Sequence, residues 1–226
     1  MRPFVDLLSH LLQYLYEFTK FFGLPSYGLA IILFTITVKI ALFPLTYKQL
    51  ISMKRLQELQ PKLQDIQKKY KNNPQKAQQA MMELYQKEGI NPLSGCLPLL
   101  IQMPILIALF ATLCNFFDSA NHPPYVEVDH ANFLWIPNLG QPDPYILPIL
   151  VVLATFFQQK LGMAQNPKDH STKLMLYFMP LLFGWMSRSF PAGLSLYWIA
   201  FSLLSMLEQW WIRRQSVLLK GEGGTK

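Results

Sequence analysis

Long apolar runs alternate with polar ones along this chain, and their spacing predicts helices throughout. Over residues 1–24, Phe4, Leu8, Leu11, Leu15, Phe18 and Phe22 recur in a 4-3-4-3-4 rhythm, while Asp6, Ser9, Gln13, Glu17 and Lys20 fill the other face. An amphipathic helix of this kind, placed before apolar spans, is expected to lie in the membrane interface. The alternative, a core-facing helix of a soluble domain, fits poorly with the five longer apolar stretches that come after it, at about 26–46, 95–117, 144–161, 173–189 and 192–212. About 20 apolar residues make roughly 30 Å of helix, the thickness of bilayer hydrocarbon. The last two stretches are separated only by a short turn around Phe190-Pro191, so they form a tight antiparallel hairpin. The expected fold is all-α: a polytopic membrane protein of five transmembrane helices behind an N-terminal interfacial helix.

Between the first two spans, residues 47–92 keep a helical rhythm without the apolarity. Leu56, Leu59, Leu63, Ile66 and Tyr70 form a heptad seam, and Asn72-Asn73-Pro74 breaks it. Ala77, Met81, Leu84 and Glu88 continue a second helix that Gly89 ends. This segment is expected to be an antiparallel helical hairpin with Pro61 kinking its first arm. It is longer than a connection requires, which favours a docking arm over a simple linker.

Charge then sets the orientation. Nine Lys or Arg lie in 47–92, whereas 118–143 holds none and carries Asp118, Glu127, Asp129 and Asp143. Lys160, Lys168 and Lys173 flank the next polar loop, and Arg213, Arg214, Lys220 and Lys226 mark the tail. The positive-inside rule puts the hairpin, the 162–172 loop and the C-terminus in the cytoplasm, and the N-terminal helix outside. The predicted units are therefore the interfacial helix 1–24, a five-span core 25–213 that includes the hairpin 47–92, and a short cytoplasmic tail 214–226.

Composition agrees with a membrane protein: 51% hydrophobic and 15% charged, against about 25% charged in soluble domains. The net charge of +7 could indicate nucleic acid, but the basic residues are accounted for by their loop positions, and no specific nucleic-acid partner is expected. Cys96 and Cys114 fall about 27 Å apart if one helix carries both, too far to bond. No cleavable signal is evident in the first 22 residues. No nucleotide loop, nucleophile elbow or zinc motif occurs, and the four histidines, His10, His122, His130 and His170, all lie outside the spans. The chain reads as a non-enzyme without cofactor or metal.

The informative residue is Lys39. It sits within the uncharged stretch Tyr27 to Thr46, where an ionisable side chain marks a functional site by default. Its stem could instead snorkel to the interface. Mild polarity gathers in stripes on the other spans. Ser195, Trp198, Ser202, Ser205 and Gln209 share one face of the fifth; Thr155, Gln158 and Gln159 cluster on the third; Thr35 lies four residues before Lys39; and Gln102 stands inside the second. They could line one hydrated groove around Lys39, or simply join helices to one another. Lys39, Thr35, Gln102, Thr155, Gln158, Trp198 and Ser202 are the candidate groove residues.

Asn91-Pro92-Leu93-Ser94-Gly95-Cys96-Leu97-Pro98 followed by Gln102-Met103-Pro104 resembles the entry to the second core span of the YidC/Oxa/Alb membrane protein insertases. Phe133-Leu134-Trp135 with Pro142-Asp143-Pro144-Tyr145 resembles the run into their third span, and Phe190-Pro191-Ala192-Gly193-Leu194 with Leu196-Tyr197-Trp198 the turn into their fifth. The resemblance covers roughly 25–213. It implies a plasma-membrane insertase and chaperone with a hydrophilic groove open to cytoplasm and lipid and closed outside. It also implies a first-span cation facing that groove, here Lys39 where the family usually has Arg, and an aromatic lining residue, here Trp198. Near Ser202 and Glu208 the family more often shows Asn and Gln. The implied partners are nascent membrane proteins and membrane lipids, with the ribosome and the Sec translocon as further candidates. The implied step moves a polar client segment through the groove while its apolar flank slides into lipid past the third and fifth spans. Met163, Met175, Met179 and Met186 offer adaptable contacts. A small-solute or ion transporter and a passive assembly scaffold remain open as alternatives.

Overall fold

The computed structural model describes residues 2–89, 97–117, 122–162 and 170–222. The Asn91–Cys96 motif, Asp118, Met163, Lys168 and the last four residues lie outside them. Seven α-helices occur among the described residues: α1 Arg2–Phe21, α2 Tyr27–Lys69, α3 Pro74–Lys87, α4 Leu97–Phe116, α5 Ile146–Gly162, α6 His170–Ser187 and α7 Ala192–Glu222. A 3₁₀ turn, Val128–His130, lies in the loop before α5.

The first span and the first hairpin arm are one helix. α2 runs for 43 residues, about 65 Å at 1.5 Å per residue, without ending at Pro44 or being interrupted at Pro61. Its first half is long and apolar enough to cross hydrocarbon by length and composition, and its distal half is polar. Ser26 caps its start by accepting from the Leu29 amide. Each proline removes one amide donor, a local loss that the surrounding run of helix formers tolerates. α3 folds back along the distal part of α2. Asn73 caps it through the Lys76 amide at 3.1 Å, Pro74 starts it, Leu59 and Leu63 are buried along with Ala77, and Lys62 reaches Glu88 at 2.7 Å.

α1 is amphipathic, with one face packed on the protein and an apolar one left exposed. Its buried positions are Leu8, Leu12, Tyr16 and Thr19, one step round from the expected apolar face, and Phe18 and Phe22 are exposed. Two interactions turn the helix this way. Tyr16 stacks on Tyr27 with ring centroids 4.1 Å apart, and the Ser9 hydroxyl lies 3.2 Å from that of Thr112 on α4. Tyrosine, serine and threonine count as polar in a periodicity scan, yet here they form the seam. Gly23, at φ +76°, lets the chain turn sharply between α1 and α2.

The other helices pack as an α5–α6–α7 group, with α7 also lying along α2 and touching α4. Gly184 of α6 lets the backbones of α5 and α6 approach: a Cβ there would fall 2.2 Å from Val152 Cγ2. The core is concentrated at one end. Tyr16, Tyr27, Phe34, Leu109, Leu113, Phe116, Leu139 and Tyr197 are all essentially inaccessible there. The 122–145 loop closes that end. Leu139 O accepts from the Gly193 amide at 2.8 Å and Gln141 O from the Ala192 amide at 2.9 Å, tying the loop to the start of α7. Asp143 accepts from the amides of Tyr145 and Ile146 at the start of α5 and from the Trp135 indole. Lys20 and Tyr16 of α1 both donate to Glu127.

The bond from Lys20, followed by that from Tyr16, holds the Glu127 carboxyl below its usual pKa. A depressed folded-state value means that this contribution is complete above the unfolded value near pH 4.3 and is lost as pH falls through the lower folded value. Hydrogen exchange of the α1 amides, corrected for intrinsic rates, should therefore accelerate only below about pH 4, and Glu127→Gln should abolish that acid step. Separately, Gly184→Ala should destabilise the detergent-solubilised protein by about 1–3 kcal/mol in thermal unfolding, with Val152→Ala restoring much of the loss.

Candidate functional site

Lys39 is buried on α2, facing α7. Its Nζ donates to Ser205 Oγ at 2.7 Å and to Glu208 Oε2 at 2.8 Å, and lies 4.1 Å from the centroid of the Phe201 ring. The two charged side chains are only 7% and 14% exposed, so this is a desolvated ion pair and the stem does not snorkel. Ser205 in turn donates to the Phe201 carbonyl at 2.8 Å. The pair opens on a recess of about 380 Å³ in the α2–α7 seam, walled by Ile36, Ile40 and Phe43 on one side and Leu204 and Leu207 on the other.

The remaining candidate residues also converge on α7. Trp198 Nε1 donates to Thr155 Oγ1 of α5 at 2.9 Å, and Gln102 of α4 donates to the buried Tyr197 hydroxyl at 2.9 Å. Ser202 lies on the same face of α7, fully buried, with its hydroxyl unpaired within the protein. Thr35 spends its hydroxyl on the Ile31 carbonyl of its own helix, and Gln158 is half-buried on α5. One polar face of α7 thus reaches Lys39, Gln102 (through Tyr197) and Thr155, while Thr35 is held in the packing above Lys39.

Sequence reading missed Glu208 as the partner of Lys39. The signal was there: Glu208 follows Ser205 by three residues, on the flank of the recognised stripe, but lay near an expected helix end where charge is ordinary. It missed Tyr197 because its hydroxyl belongs to an aromatic core residue. Gln49 was missed as well, whereas Gln159 and Gln209, which lie with it at the opposite end from the aromatic core, belong to the stripes already read from the sequence. Gln49 Nε2, Gln159 Oε1 and Gln209 Oε1, on α2, α5 and α7, are buried without a partner inside the protein. Such atoms are ordinarily satisfied by water or ligand.

A second cavity, of about 260 Å³, is dry by composition. It lies between α4 and the α5–α6–α7 group, with Met103, Ile107 and Phe110 facing Phe183, Met186 and Phe190. Met175 is exposed and Met179 half-buried on α6. Among the described residues no group of three or more His, Cys, Asp or Glu side chains could hold a metal ion.

The described residues thus form an all-helical bundle with a buried cation, Lys39, and a polar stripe along α7. The family model for the 60Kd inner membrane protein matches residues 17–218. The membrane protein insertase YidC of Oceanobacillus iheyensis is 46% identical over 194 residues, covering 81% of this chain and 73% of that protein. YidC 2 of Bacillus anthracis is 40% identical, covering 98% and 84%. YidC of Campylobacter jejuni is 41% identical over 94% of this chain, but the match spans only 37% of that longer protein. A crystal structure of an active YidC insertase superposes with a TM-score of 0.69 at 29% identity, over 91% of this chain and 45% of that one. The chain belongs to the 60Kd inner membrane protein family, and these relatives are membrane protein insertases.

The Trp198–Thr155 bond gives a direct check on the packing. Thr155→Val leaves the indole N–H unpaired and should lower stability by about 1–2 kcal/mol, whereas adding Trp198→Phe should recover most of it in thermal unfolding.

Proposed function

We propose that this insertase works without nucleotide, by offering a client's polar segment a wet, partly charged path through part of the bilayer. Crossing hydrocarbon costs several kcal/mol for each unsatisfied polar group, so a groove that shortens the dry part lowers the barrier. The single observation that carries the reading is Lys39, a buried cation on α2 that faces the polar side of α7. The unpaired groups of Gln49, Gln159, Ser202 and Gln209 lie on α2, α5 and α7, as a hydrated lining would require. The dry aromatic core and loop at the α1 end support a groove closed on that side.

In this reading the apolar part of α2 and helices α4 to α7 are five spans. Among the described residues one helix, α2, is long and apolar enough to cross by length and composition, and Gln102–Phe116 and Ile146–Gly162 are shorter apolar segments. The N-terminus lies outside. The basic α2–α3 hairpin and the C-terminus are cytoplasmic in the bacterial plasma membrane, where the hairpin meets emerging clients, with the ribosome, the Sec translocon and anionic lipid as its partners. Lys39 attracts acidic or polar residues of the translocated segment. The apolar flank leaves toward lipid past α5 and α7, the third and fifth spans, whose Val151, Leu194 and Trp198 line the dry cavity together with residues of α4 and α6. The two methionines Met103 and Met186 face each other across it and can adapt to varied side chains.

Purified protein in proteoliposomes should insert a single-span client unaided, without driving solute flux. Lys39→Ala should reduce insertion of clients with acidic translocated tails by about tenfold, and Lys39→Arg should retain it, by protease protection. Equal insertion by Lys39→Ala and the unaltered chain would reject the charge role.

A further inference from the structure

Attraction of acidic segments does not account for Glu208. A cation meant to receive a client carboxylate already has one 2.8 Å away, along with the Ser205 hydroxyl and the Phe201 ring. Both charges are largely withdrawn from water, so they are poorly screened. An arriving carboxylate must either join Glu208, meeting a like charge at close range, or displace it. A neutral polar segment meets no such barrier. The recess in front of the pair offers a newcomer a way in, and its walls of Ile36, Ile40, Phe43, Leu204 and Leu207 provide nothing else that would neutralise an acid.

We propose that Glu208 is a specificity-determining residue: a resident counter-ion that occupies Lys39 in the resting protein and that an acidic client segment has to displace. It makes the site discriminate against strongly acidic tails relative to a bare cation, and it reclaims Lys39 once the tail has moved on, which favours release. This rests on the reading that Lys39 receives client carboxylates.

The test uses the full chain in proteoliposomes and two single-span clients that differ only in their translocated tail, one carrying two aspartates and one carrying asparagines. The readout is the acidic-to-neutral ratio of protease-protected product, which a uniform loss of folded protein does not change. Glu208→Gln keeps an acceptor for Lys39 but removes the charge, and should raise the ratio about fivefold. Glu208→Asp draws the carboxylate back by one methylene and should raise it by a smaller factor. A ratio at or below that of the unaltered chain in Glu208→Gln overturns the proposal, since it means that Glu208 only pins α2 to α7. Should Glu208→Gln not yield folded protein, the same criterion applied to Glu208→Asp decides. Lys39→Ala separates the two readings. If it inserts the acidic client as well as the unaltered chain does, the attraction mechanism itself fails. If it impairs that client while the Glu208 variants leave the ratio unchanged, only the counter-ion role fails.

Discussion

One buried ion pair constrains this fold more than any other contact. Lys39 cannot stand alone in an apolar bundle, because an uncompensated buried charge costs several kcal/mol. Its partners, Ser205 and Glu208, are both on α7, a helix more than 150 residues further on. Satisfying Lys39 therefore sets the register of α7 against α2. With that register fixed, the same helix presents Tyr197 to Gln102 and Trp198 to Thr155. A buried pair adds little net stability compared with well-packed apolar residues, but it penalises every alternative alignment. In a membrane, where burial of apolar surface does not choose between neighbours, such penalties and close small-residue contacts decide which helices meet.

The bundle is asymmetric along its length. At the α1 end the described residues pack aromatic rings beneath the 122–145 loop, and Tyr16 and Tyr27 bond Glu127 there. Beyond Lys39 the balance reverses, and polar atoms of Gln49, Gln159 and Gln209 are buried without a partner inside the protein. Neither end would suffice alone. A bundle dry throughout could not lower a client's barrier, and one polar throughout would leak ions. The position of Lys39, at the boundary between the two regimes, follows from this division.

Much of this was legible in the sequence. The all-helical fold and the inward face of α7 follow from periodicity, because a long helix advertises its buried side through every third or fourth residue. Three kinds of feature did not show. The continuity of α2 past Pro44 was hidden because proline reads as a boundary, although one missing amide bond does not end a helix whose neighbours favour it. The packed seam of α1 was hidden because Tyr16 and Thr19 look polar until a stacking partner such as Tyr27 is supplied. The pairing of Lys39 with Glu208 was hidden because it spans 169 positions, and spacing alone says nothing about which distant helix a charge will face.

The pair also bears on how the proposed charge role fits a lysine at position 39, where the family resemblance implies an arginine. An arginine keeps its charge almost anywhere and offers a planar fork of donors; a buried lysine is a compact ammonium that can lose its proton unless an anion is near. Here Glu208 supplies that anion, Ser205 a second acceptor and Phe201 a ring face. Three groups on adjacent turns of α7 thus complete what a lone ammonium lacks. The lysine at position 39 and the carboxylate at position 208 are best understood as one unit. A change at either position alters the electrostatic environment of the other, so the effects of single changes there are not independent.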